Sequence, residues 1–275
     1  MVFGRIGSKP GKLLLRMMSY MALRFTIFPL TKGIYVAEKE QIRLIRSGVE
    51  AWNAWRLVNP SIRVDLSGAD LSGLNLAHVD FNGANLQDVT LDKADLSGAM
   101  LSGANLSEAS LVDANLTEVN LSHANVSDAD LLQVLLVRAN LTRAHLAKTD
   151  FSKADLRESI LAETNLHLAN FSGANLCNAN LEESKVRESC LAQADLTGAN
   201  FSRADLAQSD MTQSNCTGAN FDHASLLHAN FRGANLHGLR NATTSQLSKA
   251  QTFLHAAFDS PIGEQLQNDY PRLFE

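Results

Sequence analysis

Large apolar side chains recur at every fifth residue through most of this chain, from Leu66 to Leu236. That spacing matches neither a strand, which repeats about every two residues, nor a helix, which repeats about every 3.6. The phase continues through 35 pentapeptides without an insertion or a deletion. The residue two places before each large apolar position is Ala in 22 repeats, and the residue between the two is Asn or Asp in 26. The pattern predicts a five-residue unit with one large and one small side chain pointing inward.

The phenylalanines at the large apolar positions indicate how many units make one coil. Leu occupies most of these positions and Phe occupies six, which are Phe81, Phe151, Phe171, Phe201, Phe221 and Phe231. All six fall in one of the two alternating sets of repeats, so multiples of ten residues separate them. Opposite sides of a four-sided coil would produce that alternation, whereas a three-sided coil would mix the two sets.

The phrase A(N/D)LXX, repeated between residues 64 and 238, resembles the pentapeptide-repeat family. The resemblance implies an all-β solenoid, namely a right-handed quadrilateral β-helix in which each pentapeptide forms one side. Four sides per coil would give about nine coils stacked roughly 4.8 Å apart. We expect the Asn or Asp of each repeat to lie at a corner, where its short side chain can bond nearby backbone.

Both ends of such a solenoid would expose unpaired strand groups, so we expect caps. An apolar stripe predicts a helix over 37–57, and the tail predicts two short helices over 244–258 and 261–268. These tracts also resemble the helical ends of cyanobacterial members of the family. The predicted organisation is therefore a basic amphipathic segment (1–36), an N-terminal helical cap (37–60), the pentapeptide-repeat β-helix (61–240) and a C-terminal helical cap (241–275).

The first segment differs in charge from the rest of the chain. Residues 1–37 contain six bases and no acid, whereas residues 61–240 contain 22 acids and 12 bases. In a helix, Lys12, Arg16 and Arg24 would share one side opposite an apolar one, which is typical of an interfacial membrane helix. The charges interrupt the apolar run, so no spanning helix is predicted. We expect the segment to extend the cap, to dock on a membrane or a partner, or to be an unstructured tail.

The residues that usually carry chemistry form no recognisable site. Cys177, Cys190 and Cys216 have no disulfide-framework spacing, which predicts a cytoplasmic protein, with a peripheral position at the membrane as the alternative. The eight His residues are scattered, so we predict no metal site, no cofactor and no catalytic residue. A filled bore would leave no substrate pocket, and the chain is therefore predicted to be a non-enzyme.

The outer wall is more informative, because residues 20 apart would stack in a four-sided coil. One predicted column is acidic and contains Asp88, Glu108 and Asp128. Four apolar residues at outward positions predict a partner-docking patch. They are Val112, Leu132, Leu135 and Val137. A girdle of bases around the rod, rather than a stripe along it, argues against nucleic-acid binding. The girdle contains Arg138, Arg143, Lys148 and Lys153.

Three functions fit these features. The first is a rigid scaffold, monomeric or dimerised end to end, that binds a regulatory protein; some members of the family act in cell differentiation and pattern control. The second is an acidic DNA mimic, as in relatives that bind DNA gyrase. The third is a scaffold tethered to a membrane by residues 1–36, where each cation near anionic lipid would contribute about 1 kcal/mol.

Overall fold

The computed structural model describes residues 37–275. The predictions for Lys12, Arg16 and Arg24, and for the segment 1–36 as a whole, lie outside the described residues. Among the helices between residues 37 and 275, none combines the length and the hydropathy needed to cross a bilayer.

The repeat region is a ladder of parallel β-bridges that join residues 20 positions apart. The ladder runs from Asp65, paired with Asn85, to Asn220, paired with Arg240. A period of 20 residues and a bridge at every fifth residue define a coil with four sides. We name the sides by their first bridged residue: side A from Asp65, side B from Asp70, side C from Asn75 and side D from Asp80.

The bore is filled by the two inward residues of each repeat. Leu66 is completely buried and Ala69 is nearly so, and the same pair of positions is buried in almost every later repeat. Phe151 and Phe171 stack on side B with ring centroids 4.9 Å apart. The remaining bore phenylalanines also lie on sides B and D, which confirms the prediction that the Phe positions occupy opposite sides of a square.

The corners are built differently from our expectation. The Asn or Asp of each repeat lies in the middle of a side, at the β-bridge, and the two residues after the large apolar one form the corner. In the first repeat, the backbone N–H of Ala69 donates to the carbonyl of Leu66 at 3.1 Å and closes a four-residue turn. The predicted backbone bond exists nevertheless, because Asp65 Oδ1 accepts the N–H of Ser67 at 3.1 Å.

The second corner residue has a positive φ in every repeat, near +60°, as the third position of a type II turn requires. Glycine supplies this conformation at ten of these positions, but residues such as Asp88 and Arg138 adopt it as well. Two residues turn the chain at each corner, and the type II geometry places the second of them in the left-handed region. The Asn or Asp stabilises the turn from the flat side instead of forming it.

Helices lie at both ends of the ladder. The N-terminal pair is α1 (Ala37–Arg46) and α2 (Val49–Val58). The predicted helix over 37–57 is therefore interrupted at Gly48, which has a φ of 121°. A short helix α3 (Thr244–Leu247), a helix α4 (Ile262–Asp269) and a 3₁₀ helix (Pro271–Phe274) follow the repeats.

The predicted helix over 244–258 is wrong beyond its first turn. Thr243 and Gln246 form a reciprocal capping box that starts α3, but the chain then returns to the coil. Strand β2 (Ala257–Phe258) pairs in parallel with strand β1 (Asn235–Leu236). The open backbone of the last coil captures this segment, and its pairing outweighs a weak helical preference.

Side chains of the N-terminal helices bond to backbone groups of the first coil. Gln41 accepts the N–H of Asp65 at 2.8 Å and donates to the carbonyl of Arg63 at 3.2 Å. Trp52 Nε1 donates to the carbonyl of Asp80 at 2.8 Å, and Asn53 accepts the N–H of the same residue at 2.9 Å. These donors and acceptors have no coil below them.

Candidate interaction surface

The four apolar residues expected on the outer wall lie together on side C and its two corners. Val112 and Leu132 occupy the same corner, between sides B and C, in successive coils. Their stacking is fixed by the N–H of Asp113, which donates to the carbonyl of Leu132 at 3.0 Å. We call this set the apolar corner. It consists of Val112, Leu132, Leu135 and Val137.

The members of the apolar corner differ in exposure. Leu135, at the middle of side C, is 45% exposed, whereas Val112, Leu132 and Val137 are each partly buried. Hydrogen bonds to the coil below hold both Leu135 and Val137 in place, since their carbonyls accept the N–H groups of Leu116 at 2.7 Å and of Glu118 at 2.9 Å. Leu135 is therefore the most exposed apolar side chain of this surface.

Leu135 also removes a hydrogen bond that most repeats make. One coil below, Asn115 Oδ1 accepts both the backbone N–H and the hydroxyl of Thr117, at 3.1 and 2.7 Å. A leucine offers no acceptor, and the N–H of Val137 has no partner within residues 37–275. An exposed leucine at this position thus contributes less to folding than the usual Asn or Asp.

The predicted acidic column follows the corner between sides A and B. Asp88, Glu108 and Asp128 are stacked there in successive coils, all with exposed side chains. Glu108 accepts a hydrogen bond from Gln87 Nε2 at 3.3 Å. Asp128 is paired with Lys148 at 3.7 Å.

The negative charge extends beyond this column across side B. Residues 87–93, 107–113 and 127–133 form side B with both of its corners in three successive coils. They carry six carboxylates and one base, Lys93. We call this surface the acidic side; its carboxylates are Asp88, Asp92, Glu108, Asp113, Asp128 and Asp130. Sequence reasoning missed three of these residues, although the same 20-residue stacking rule would have grouped them.

The basic girdle is largely neutralised by its own neighbours. Arg138 pairs with Glu118, and Arg143 makes two hydrogen bonds to Glu163, at 2.8 and 3.0 Å. The hydrogen bonds from Arg143 lower the pKa of the Glu163 carboxyl, and its positive charge adds to the effect. Ion pairs as exposed as these contribute little to stability, because water screens them. They leave little positive charge for an external anion.

The cysteines and histidines are not gathered into a reactive site. In the part of the chain that the structure describes, no three His, Cys, Asp or Glu side chains are placed to hold a metal ion. Cys216 fills a bore position, where burial raises the pKa of its thiol to about 12. Burial also raises the pKa of the partly exposed Cys177. Neither thiol has the lowered pKa that nucleophilic cysteines show.

A family model described as pentapeptide repeats matches the chain in eight copies between residues 62 and 238. The chain therefore belongs to the pentapeptide-repeat family. Its members fold as right-handed quadrilateral β-helices and are protein-binding scaffolds rather than enzymes. The matched stretches are 62–98, 99–136, 128–161, 135–173, 159–198 and 199–238.

Several solved structures are similar to this chain. HetL, a pentapeptide repeat protein involved in heterocyst differentiation regulation from the cyanobacterium Nostoc sp. strain PCC 7120, is 26% identical over 75% of this chain and 96% of its own, with a TM-score of 0.47. QnrB1, a plasmid-mediated fluoroquinolone resistance protein, is 19% identical over 75% of this chain and 97% of its own, with a TM-score of 0.37. Rfr23 from the cyanobacterium Cyanothece 51142 is 24% identical over 57% of this chain and 91% of its own, with a TM-score of 0.21. No curated protein matches the chain.

Proposed function

We propose that this chain is a non-enzymatic, rigid scaffold that binds a regulatory protein through the apolar corner. The observation that carries the proposal is the placement of Leu135. It stands on a side whose other bridge positions are all Asn or Asp, it is 45% exposed, and three further apolar residues lie at the two corners of the same side. Its presence costs a turn hydrogen bond and exposes apolar area, so a role outside folding accounts for it best.

The fold suits this role because the wall is stiff before a partner arrives. Both backbone groups of Leu135 bond to the coil below, since its N–H donates to the carbonyl of Ala114 at 3.0 Å and its carbonyl accepts the N–H of Leu116 at 2.7 Å. Its chain neighbours Val134 and Leu136 bond to Asp155 in the coil above. A surface that is already ordered loses little conformational entropy on binding. The apolar corner is small, but its rigid backbone can therefore support specific recognition.

The double substitution Leu132→Glu with Leu135→Glu tests the proposal. Both side chains point outward, so the variant should keep its circular-dichroism spectrum while it loses the partner recovered by pull-down from native cells. Ile160→Glu is a matched control, since Ile160 occupies the same repeat position on side D and is 42% exposed. Unchanged recovery with the double variant, or equal loss with the control, would remove the apolar corner from the account.

The partner's identity follows from mass spectrometry of the same pull-down. A role in cell differentiation or pattern control, expected from the family resemblance, is part of this proposal. So is a cytoplasmic location, with membrane attachment through residues 1–36 as the alternative. Flotation of the full chain with anionic vesicles, compared with residues 37–275 alone, separates the two locations.

The acidic side favours DNA mimicry as a second candidate function. Six carboxylates on one side of the solenoid offer a negative surface to a DNA-binding enzyme such as gyrase. A supercoiling assay with this chain in excess tests the idea. Inhibition that disappears when Glu108 and Asp113 are replaced by amides would support it, and an unaffected gyrase would end it.

We also propose that the helical ends, 37–60 and 241–275, act as caps on a β-helix of about nine coils. Gln41, Trp52 and Asn53 occupy backbone groups of the first coil that would otherwise be open. At the other end, Phe253 is fully buried and stacks on Phe231 with centroids 5.3 Å apart. Covering these edges would prevent rods from pairing end to end.

A further inference from the structure

We propose that the acidic side and the apolar corner together form one docking surface for a basic amphipathic helix of the protein partner. The inference rests on the proposed function and adds the chemistry of the partner. In this arrangement, the apolar stripe of the partner helix lies on the apolar corner, and its Lys and Arg side chains reach across side B.

The two surfaces are continuous at the level of individual residues. Asp92 Oδ1 accepts the backbone N–H of Val112 at 3.1 Å, so a carboxylate lies directly below the first apolar side chain. Asp130 Oδ1 accepts the N–H of Leu132 at 3.0 Å and places a second carboxylate beside the next. Any segment that covers this corner therefore meets apolar and negative groups within one contact.

The negative charge of the acidic side is mostly uncompensated. Among its six carboxylates, only Asp128 has a cationic group of residues 37–275 within 4.0 Å, namely Lys148. Side D differs from side B, since Arg143 pairs with Glu163 at one of its corners and Arg138 pairs with Glu118 at the corner that it shares with side C. Charge complementarity favours a cationic partner at side B and gives no such preference at side D.

The partner's conformation follows from the backbone of the wall. The ladder groups of sides B and C are paired with the coils above and below, so these sides present no open edge to an added strand. A helix satisfies its own backbone and needs only side-chain contacts. One helical turn rises about 5.4 Å, close to the spacing of about 4.8 Å between adjacent coils. Apolar residues at i and i+4 can therefore contact Val112 and Leu132 in turn.

The test uses the full chain and a labelled synthetic helix of about 18 residues, built from Leu on one face and Lys on the other. Fluorescence anisotropy measures its Kd. We expect Glu108→Gln with Asp113→Asn to weaken binding of the Lys peptide about tenfold. The variant Leu132→Glu with Leu135→Glu is tested with a second peptide in which Gln replaces Lys. It should weaken binding of that peptide at least about tenfold. Asn and Gln occupy the same corner position at Asn178 and Gln133, so the amides fit the backbone.

Matched controls decide whether the effect belongs to this surface. Glu158→Gln with Glu188→Gln removes two exposed corner carboxylates from other coils and should change Kd less than twofold. A peptide with Glu in place of Lys should not bind. Equal weakening by the control pair, or equal binding of the Lys and Glu peptides, would overturn the inference. If the pull-down partner depends on Leu132 and Leu135 but not on Glu108 and Asp113, the proposed function stands and the basic helix is wrong.

Discussion

The middle of the rod and its C-terminal end use the same physical interactions under different sequence rules. In the middle, Phe151 stacks on Phe171 and each bridge joins residues 20 apart. At the end, Phe231 stacks on Phe253 and the bridged residues are 22 apart, as in Asn230 with Thr252. The C-terminal end no longer follows the pentapeptide sequence pattern, but its chain still forms a coil paired with the one before it. The preceding coil therefore acts as the template for the last one, and the repeat is needed only where no other packing supports the chain.

The largest expected effect comes from emptying the bore in the middle of the rod. Phe171→Ala removes a fully buried ring that stacks on Phe151, and it should lower the free energy of unfolding by about 3–5 kcal/mol. Urea denaturation measures the change. Phe171→Leu is the control, since Leu fills most bore positions, and it should cost much less. Equal losses for the two variants would contradict the packing described for the bore.

The same truncation at the end should act locally. Phe253→Ala should open the last coil without unfolding the middle, because each coil of a solenoid contacts only its neighbours. Hydrogen exchange should accelerate at the N–H of Gln251, bonded to Ala229 at 2.8 Å, and not at that of Phe171, bonded to Cys190 at 2.6 Å. Concentration-dependent association of this variant would support the capping role, and exchange that accelerates equally at both sites would contradict the local effect.

Asp259 provides a pH-dependent contact that is confined to the C-terminal end. The backbone N–H of Gly238 lowers the pKa of its carboxyl, and the hydrogen bond with His237 adds to the effect. A carboxyl whose pKa is lowered by folding stabilises the chain above its unfolded pKa, and this contribution is lost as the pH falls through the folded value. Asp259→Asn should therefore flatten the acid side of the stability profile.

Thermal melts between pH 7 and pH 3 measure this effect. His237→Gln is the control, and it should retain most of the acid dependence because the Gly238 N–H is the larger cause. A profile unchanged by Asp259→Asn would show that the contact does not stabilise the last coil.

The smallest expected effect is a gain in stability at a corner. Leu168 has a φ of 61°, in the left-handed region, and is 44% exposed. Leu168→Asn should raise the free energy of unfolding by about 1 kcal/mol, because Asn tolerates this conformation better than Leu. The reciprocal change Asn178→Leu should lower it by a similar amount. Changes of the same sign in both variants would contradict the strain argument.

The four-sided coil and the filled bore can be predicted from the sequence, because both depend on strictly periodic contacts. The alternation of Phe positions alone predicts sides B and D. The corner assignment was wrong because Asp65 and its equivalents can bond the turn from either a corner or a flat side. The tail after Thr243 was overpredicted as helix, since no local pattern reports the open coil that captures Ala257 and Phe258.

The candidate surface could likewise be predicted from the sequence only in part. Column stacking predicts that Val112 and Leu132 meet, and the structure places Leu135 on the adjoining side C and Val137 at the far corner of that side. The extent of the acidic side depends on which residues share a side with Asp88. That grouping requires correct corners, so the contributions of Asp92, Asp113 and Asp130 emerged only from the structure.

Site-specific cross-linking shows whether the partner contacts the apolar corner. A photoreactive residue at position 135 of the full chain, expressed in native cells, should capture a protein that the same residue at position 160 on side D does not. One dominant adduct is expected at position 135. No adduct there, or the same adduct at both positions, would contradict this contact.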